Sequence, residues 1–95
     1  MADVVIFGGT AEGRELADAG ARMGISVTAS VTSEYGKEML KGQEGVSVQC
    51  GVLDEEGMCR FLRKEEPALV VDATHPYATL ATRQILRACE RENIR

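Results

Sequence analysis

Aromatic residues, proline and histidine are scarce in this chain, and each scarcity narrows what it can do. It has no tryptophan, and tyrosine and phenylalanine make up 4% of its 95 residues, so a core must be assembled from aliphatic side chains. The three cysteines, Cys50, Cys59 and Cys89, are odd in number and contain no C-x-x-C. That excludes a zinc knuckle or a paired redox motif and suits reduced thiols buried as small hydrophobes. A single histidine offers no metal-ligating cluster, and no metal is expected. Basic residues do not cluster either. Eleven Lys and Arg stand against fifteen Asp and Glu, for a net charge of −4. That balance excludes nucleic-acid binding, which runs through cationic contacts to phosphate. The opening Met1-Ala-Asp-Val-Val-Ile-Phe7 lacks a cationic n-region, so no signal peptide is expected. Apolar runs last only a few residues, too short for a membrane span. The expected setting is the cytoplasm.

What is present is a regular alternation of short apolar runs and longer amphipathic ones. Val4–Phe7 reads as a buried strand. A helix follows from Ala11 to Met23, with Leu16, Ala17, Gly20 and Ala21 as the face laid on a sheet and Gly24 as its C′ residue. Ser26–Val31 is a second strand, and Glu34–Leu40 a short helix ending near Gly42 and Gly45. Val46–Gln49 is a third strand. Asp54 caps a helix to about Lys64, stopped by Pro67. Ala68–Ala73 is the fourth strand. Tyr77–Glu92 is the last helix, with Leu80, Ile85, Leu86 and Cys89 on its buried face. Short connections between alternating elements imply a parallel sheet with right-handed crossovers. The expected architecture is a doubly wound, Rossmann-like α/β domain with strand order 3-2-1-4. Glu92-Asn-Ile-Arg95 reads as the approach to a fifth strand, so the chain is expected to be the front part of something longer.

Two turns fall where such sheets bind ligands, beyond the carboxyl ends of the strands. The first is Gly8-Gly9-Thr10-Ala11-Glu12-Gly13. Against the G-x-G-x-x-G fingerprint the middle glycine is displaced, with Thr10 in its place and Gly9 beside it. Gly8 and Gly9 permit a tight turn and close backbone approach, and Gly13 lets helix pack on strand. Backbone N–H groups at the helix start then face a pyrophosphate. Thr10 supplies a hydroxyl donor, and Glu12 holds the turn by reaching back to backbone N–H groups. The competing reading is a turn that merely allows tight packing. After the second strand, Ser30, Thr32 and Ser33 offer hydroxyls where an NAD site usually carries an acid, with Arg14 near enough to add charge. This favours NADPH; an inward Glu34 would reverse the preference.

The second turn is Asp72-Ala-Thr-His-Pro-Tyr77, which holds the lone histidine. His75 has the one side chain that ordinarily titrates near neutrality. It either donates a hydrogen bond or proton to a substrate or fixes its own loop. Asp72 bonds backbone N–H groups across the turn. Tyr77 stacks on a flat ligand or staples the helix start.

Together, Gly8-Gly-Thr-x-Glu-Gly-Arg14 and Val71-Asp-Ala-Thr-His-Pro-Tyr-Ala78 resemble the precorrin-6A reductase family, which includes the cobalt-precorrin-6A reductases of cobalamin biosynthesis. The second string is the specific one, and the likeness runs through nearly the whole chain, including Gly51 after the third strand. The resemblance implies two Rossmann-like domains with NADPH and a tetrapyrrole substrate between them, this chain being the N-terminal cofactor-binding part and the second domain lying outside it. It implies hydride transfer from NADPH to one double bond of the corrin precursor. It further implies that Gly8, Gly9, Thr10, Glu12 and Gly13 cradle the pyrophosphate with Arg14 nearby. Ser30, Thr32 and Ser33 then lie near the adenosine ribose and its phosphate, Gly51 also belongs to the cofactor site, and Thr74, His75, Pro76 and Tyr77 border the nicotinamide and macrocycle. His75 and Tyr77 are the candidates for contact with the reacting groups. The implied substrate carries many carboxylates, so a half with net charge −4 requires cations from elsewhere. The fragment alone is expected to be inactive.

Two other classes fit parts of the sequence. A dinucleotide-sensing module needs the glycine turn but has no use for Thr-His-Pro-Tyr beside it. A fold fragment serving as an assembly surface would self-associate through an exposed sheet edge.

Overall fold

A computed structural model describes residues 2–40 and 45–94. Its elements are β1 (Val4–Phe7), α1 (Ala11–Arg22), β2 (Val27–Val31), α2 (Glu34–Leu40), β3 (Val46–Cys50), α3 (Glu55–Glu65), β4 (Leu69–Asp72) and α4 (Thr79–Arg91). The strands form one parallel sheet in the order β3-β2-β1-β4, the arrangement expected from the alternating pattern. The helix stop expected at Gly42 lies outside the described residues.

Strand alternation divides the core into two layers. Val5 and Phe7 face α3 and α4, where they pack with Met58, Leu62, Ile85 and Ala88. Phe7 meets Phe61 edge to face, ring centroids 6.1 Å apart. On the other side, Ile6 packs with Ala17, Val27, Ala29, Val31 and Leu40. β2 contributes its apolar residues to that second layer only. Thr28 and Ser30 face the first layer and are buried, so each hydroxyl needs a partner. Thr28 donates to the Glu65 carboxylate, and Ser30 donates to Gln49 Oε1 at 3.0 Å.

Local signals end the helices where the sequence suggests. Gly24 adopts φ +80°. The Gly24 and Ile25 N–H groups close on the Ala21 and Gly20 carbonyls, the paired bonds of a Schellman stop. Asn93 (φ +56°) plays the same part after α4, with Asn93 and Ile94 N–H donating to Glu90 and Cys89 carbonyls. Asp54 caps α3 by accepting the Gly57 N–H at 2.7 Å.

Three expected core positions are exposed instead: Leu16, Leu80 and Leu86, at 45%, 66% and 59%. Leu16 lies off the face on which α1 buries Ala17. Leu80 sits at the start of α4, bordering a cleft. Leu86 lies beside β4, which pairs only with β1 among the described residues, so its apolar side chain has no further strand to cover it.

Candidate functional site

The strand register builds the site. Gln49, Ser30, Phe7 and Asp72 are aligned across four strands at the carboxyl edge. Aligned residues share one face of a parallel sheet, so this row turns toward α3 and α4. Beyond it lies a cleft of about 400 Å³, floored by Phe7, Gly8 and Ser30. Thr32, Gly51 and Val52 border it from the β2–β3 side, and Thr74, Tyr77 and Leu80 from the β4–α4 side. None of the described residues that line it is charged. Such a cleft suits a flat, largely apolar ring system held at its edges by a few polar groups.

The glycine turn stands beside this cleft. Gly9 adopts φ +124°, and a Cβ built there would meet nothing within 4 Å. The backbone is thus bare toward open space, as close approach of a phosphate requires. Gly13 is crowded: its Cβ would come 3.2 Å from the Ala73 Cβ and 3.4 Å from the Gly8 Cα. The missing side chain is what lets α1, the β1 turn and the end of β4 touch. Thr10 caps α1, accepting the Gly13 N–H at 3.2 Å. Its own proton goes to the Ala73 carbonyl at 2.7 Å, not outward as the sequence suggests. Glu12 is exposed, and among the described residues its carboxylate makes no hydrogen bond; the capping expected of it falls to Thr10.

Arg14 lines a narrow recess with Gly9, Gly13 and Gly36 between α1 and α2, on the opposite face from the large cleft. Ser33 stands at the head of α2, where its hydroxyl accepts the Gly36 N–H at 3.1 Å. Ser30 is buried with its proton given to Gln49, so it offers a ligand no donor. Thr32 is exposed at the cleft. Gly51 takes φ +131° while its N–H donates to the Val31 carbonyl at 2.9 Å. Glu34 leans on Cys50, its carboxylate 3.8 Å from the thiol sulfur, and does not line the cleft.

In the second turn, Asp72 is the organiser. It accepts from the Thr74 N–H (3.0 Å), the Thr74 hydroxyl (2.6 Å) and, through its other oxygen, the Thr82 hydroxyl on α4 (2.7 Å). Burial would raise its pKa, but these donors outweigh that and hold it below the ordinary carboxylate value. A carboxylate with a depressed folded pKa stabilises the fold above its unfolded value, about 3.9, and loses that contribution as pH falls through the folded value. Asp72→Asn should therefore be less stable than the parent at pH 7, by on the order of 1 kcal/mol, with the gap closing as pH falls below the unfolded carboxylate value and through the lower folded one. Thermal melts of both proteins across pH 2–7 check this; a gap independent of pH would contradict it.

His75 is exposed, and its Nδ1 accepts the Tyr77 N–H at 3.3 Å. The two rings lie 5.0 Å apart between centroids. The histidine therefore does hold its own loop, and Nδ1 acting as acceptor puts the ring proton of the neutral form on Nε2. Tyr77 is 86% exposed and lines the cleft. His75 and Pro76 lie outside the lining. The structure thus gathers Gly8, Ser30, Thr32, Gly51, Thr74 and Tyr77 at one cleft, with Gly9, Gly13 and Arg14 over the adjoining edge. Gln49 and Thr82 were not singled out from sequence; neither carries a local motif, and each is marked only by a partner distant in the chain.

Comparisons with known proteins show which family the chain resembles in sequence and fold. The family described as precorrin-6x reductase CbiJ/CobK matches residues 3–95. The cobalt-precorrin-6A reductase of Salmonella typhimurium is 36% identical over 91 residues, which are 93% of this chain and 33% of that protein. The enzyme of the same name from Methanothermobacter thermautotrophicus is 31% identical over 87 residues, 90% of this chain and 29% of its own. The solved structure of a CobK precorrin-6A reductase superposes with a TM-score of 0.79 at 25% identity, covering 99% of this chain and 35% of that one. The chain spans about a third of the length of the curated relatives it matches.

Proposed function

The chain belongs to the precorrin-6x reductase family, and on that premise we propose that it is the N-terminal, cofactor-binding part of an NADPH-dependent reductase acting on a corrin precursor, precorrin-6A or its cobalt form. The observation that carries this reading is the shared edge: a glycine turn open at Gly9 adjoins an uncharged cleft flanked by the Thr74–Tyr77 turn. A sensing module would have no need of the second turn.

In this reading the backbone of Gly8, Gly9 and Gly13 and the leading amides of α1 hold the pyrophosphate, where the helix dipole favours negative charge. Thr32 and Ser33 meet the adenosine 2′-phosphate, with Arg14 reaching from across the α1–α2 recess. When bound, NADPH supplies the hydride. The chain's own residues orient the rings and exclude water. Phe7, Leu80 and Ile85 wall the cleft, Tyr77 offers a stacking face, and His75, outside the lining, steadies the turn that presents Tyr77. Among the described residues no cation lines the cleft, so in this reading cations from elsewhere in the full-length reductase meet the substrate's carboxylates, and the chain alone is not expected to turn substrate over.

Calorimetric titration of the chain with NADPH and NADH in parallel tests the cofactor assignment. The expected result is tighter binding of NADPH by roughly tenfold or more, about 1.4 kcal/mol. Equal affinities would remove the 2′-phosphate role from Thr32, Ser33 and Arg14, and binding of neither would contradict the cofactor reading.

A further inference from the structure

Resting on that reading, we infer that Thr10 is a positioning residue that binds the two turns of the site into one unit, and not a donor to the cofactor's phosphate. A threonine hydroxyl has one proton to give. Here it is given to the Ala73 carbonyl, 63 residues away in sequence. The same oxygen accepts the Gly13 N–H, so a single side-chain atom joins the first turn of α1 to the residue that follows β4. Ala73 is held from its other side as well, its N–H donating to the Phe7 carbonyl at 2.8 Å. Its Cβ faces the gap that the absence of a side chain at Gly13 leaves open.

Ala73 joins β4 to the Thr74–Tyr77 turn. Asp72 fixes that turn from the α4 side, through Thr74 and Thr82, and Thr10 fixes it from the α1 side. The cofactor turn and the turn carrying His75 and Tyr77 therefore cannot shift independently. Were Thr10 to donate to a phosphate instead, the Ala73 carbonyl would lose this partner and the brace between the turns would open.

The test exploits the single histidine, whose imidazole signals need no assignment among others. Thr10→Ser keeps the hydroxyl. Thr10→Asp keeps an acceptor for the Gly13 N–H, and so the helix cap, but has no proton for Ala73 when ionised. Thr10→Val removes both. Imidazole NMR spectra and amide exchange are recorded first without dinucleotide, then with NADPH. The expected ligand-free result is parent-like His75 signals in Thr10→Ser. In Thr10→Asp and Thr10→Val the His75 signals move toward those of a free imidazole. In both, the Ala73 and Thr74 amides exchange roughly tenfold faster, the scale of one lost hydrogen bond. Parent-like ligand-free spectra for Thr10→Asp would overturn the positioning role. Parent-like spectra for Thr10→Val with weakened NADPH binding would return Thr10 to the phosphate. If none of the proteins, parent included, binds NADPH, the cofactor reading fails, while the ligand-free spectra still decide the brace.

Discussion

Gly9→Val is expected to lower dinucleotide affinity at least ~100-fold, about 2.7 kcal/mol, in a protein that remains folded. Two effects combine at this position. The backbone sits at φ +124°, where an L side chain costs on the order of 1–3 kcal/mol, and a β-branched residue adapts worst. That fits within the roughly 5–15 kcal/mol total stability usual for a domain. The larger effect is on the ligand. Apart from its chain neighbours, a Cβ at Gly9 meets nothing within 4 Å among the described residues, so the valine methyl groups project into the space proposed for the pyrophosphate. Titration with NADPH, paired with a thermal melt, checks both parts. Unchanged affinity would remove the phosphate role from this turn.

Gly13→Val should do the reverse, damaging the fold first and binding in consequence. The position has no unusual φ, but a Cβ there comes 3.2 Å from the Ala73 Cβ, and the branched methyl groups come closer still. Overpacking of this kind typically costs about 1–3 kcal/mol. Relief requires α1 to lift from the β4 end, which stretches the bond from Thr10 to Ala73. The expected outcome is a lower melting temperature and loss of parent-like His75 signals before any ligand is added. A melting temperature equal to the parent's would show that the contact yields without cost. The contrast between the two glycines separates what the turn does for the ligand from what it does for the domain.

Much of the fold is legible in the chain because its local signals agree with one another. Val4–Phe7 and Glu34–Leu40 are bounded by glycine, serine and charge changes on both sides. Gly24 marks the end of α1 because only a residue at ease with positive φ closes that stop without strain. The strand order follows from the alternating connectivity and its handedness read together with a glycine-rich turn after the first strand, which points to a Rossmann-like half. What periodicity misassigns are the leucines whose neighbours depend on tertiary context. Leu80 follows the apolar pattern of α4 but borders the cleft, and Leu86 follows it but overhangs the β4 edge.

The site is legible in outline and not in its wiring. The two turns can be named from sequence, the first by its displaced G-x-G-x-x-G pattern after a strand and the second by the Asp-Ala-Thr-His-Pro-Tyr string. Which hydroxyls are free cannot be read locally. Thr10 looks like an outward donor until Ala73 is seen beside it, and Ser30 until Gln49 is. Glu12 stands where a capping carboxylate is expected, yet Thr10 makes the cap. Asp72 differs: two of its bonds are local, to Thr74, so its structural role could be anticipated, while the third to Thr82 reaches onto α4.

The central claim is that one edge of this sheet, from the glycine turn to the Thr74–Tyr77 turn, receives the dinucleotide. Backbone amide NMR of the chain during NADPH titration tests it most directly. The account predicts the largest shifts at Gly8–Gly13, at Thr32–Ser33 and at Thr74–Thr79, with the amino ends of the strands, around Asp3 and Ala68, unmoved. Shifts concentrated away from that edge, or none at saturating NADPH, would contradict it.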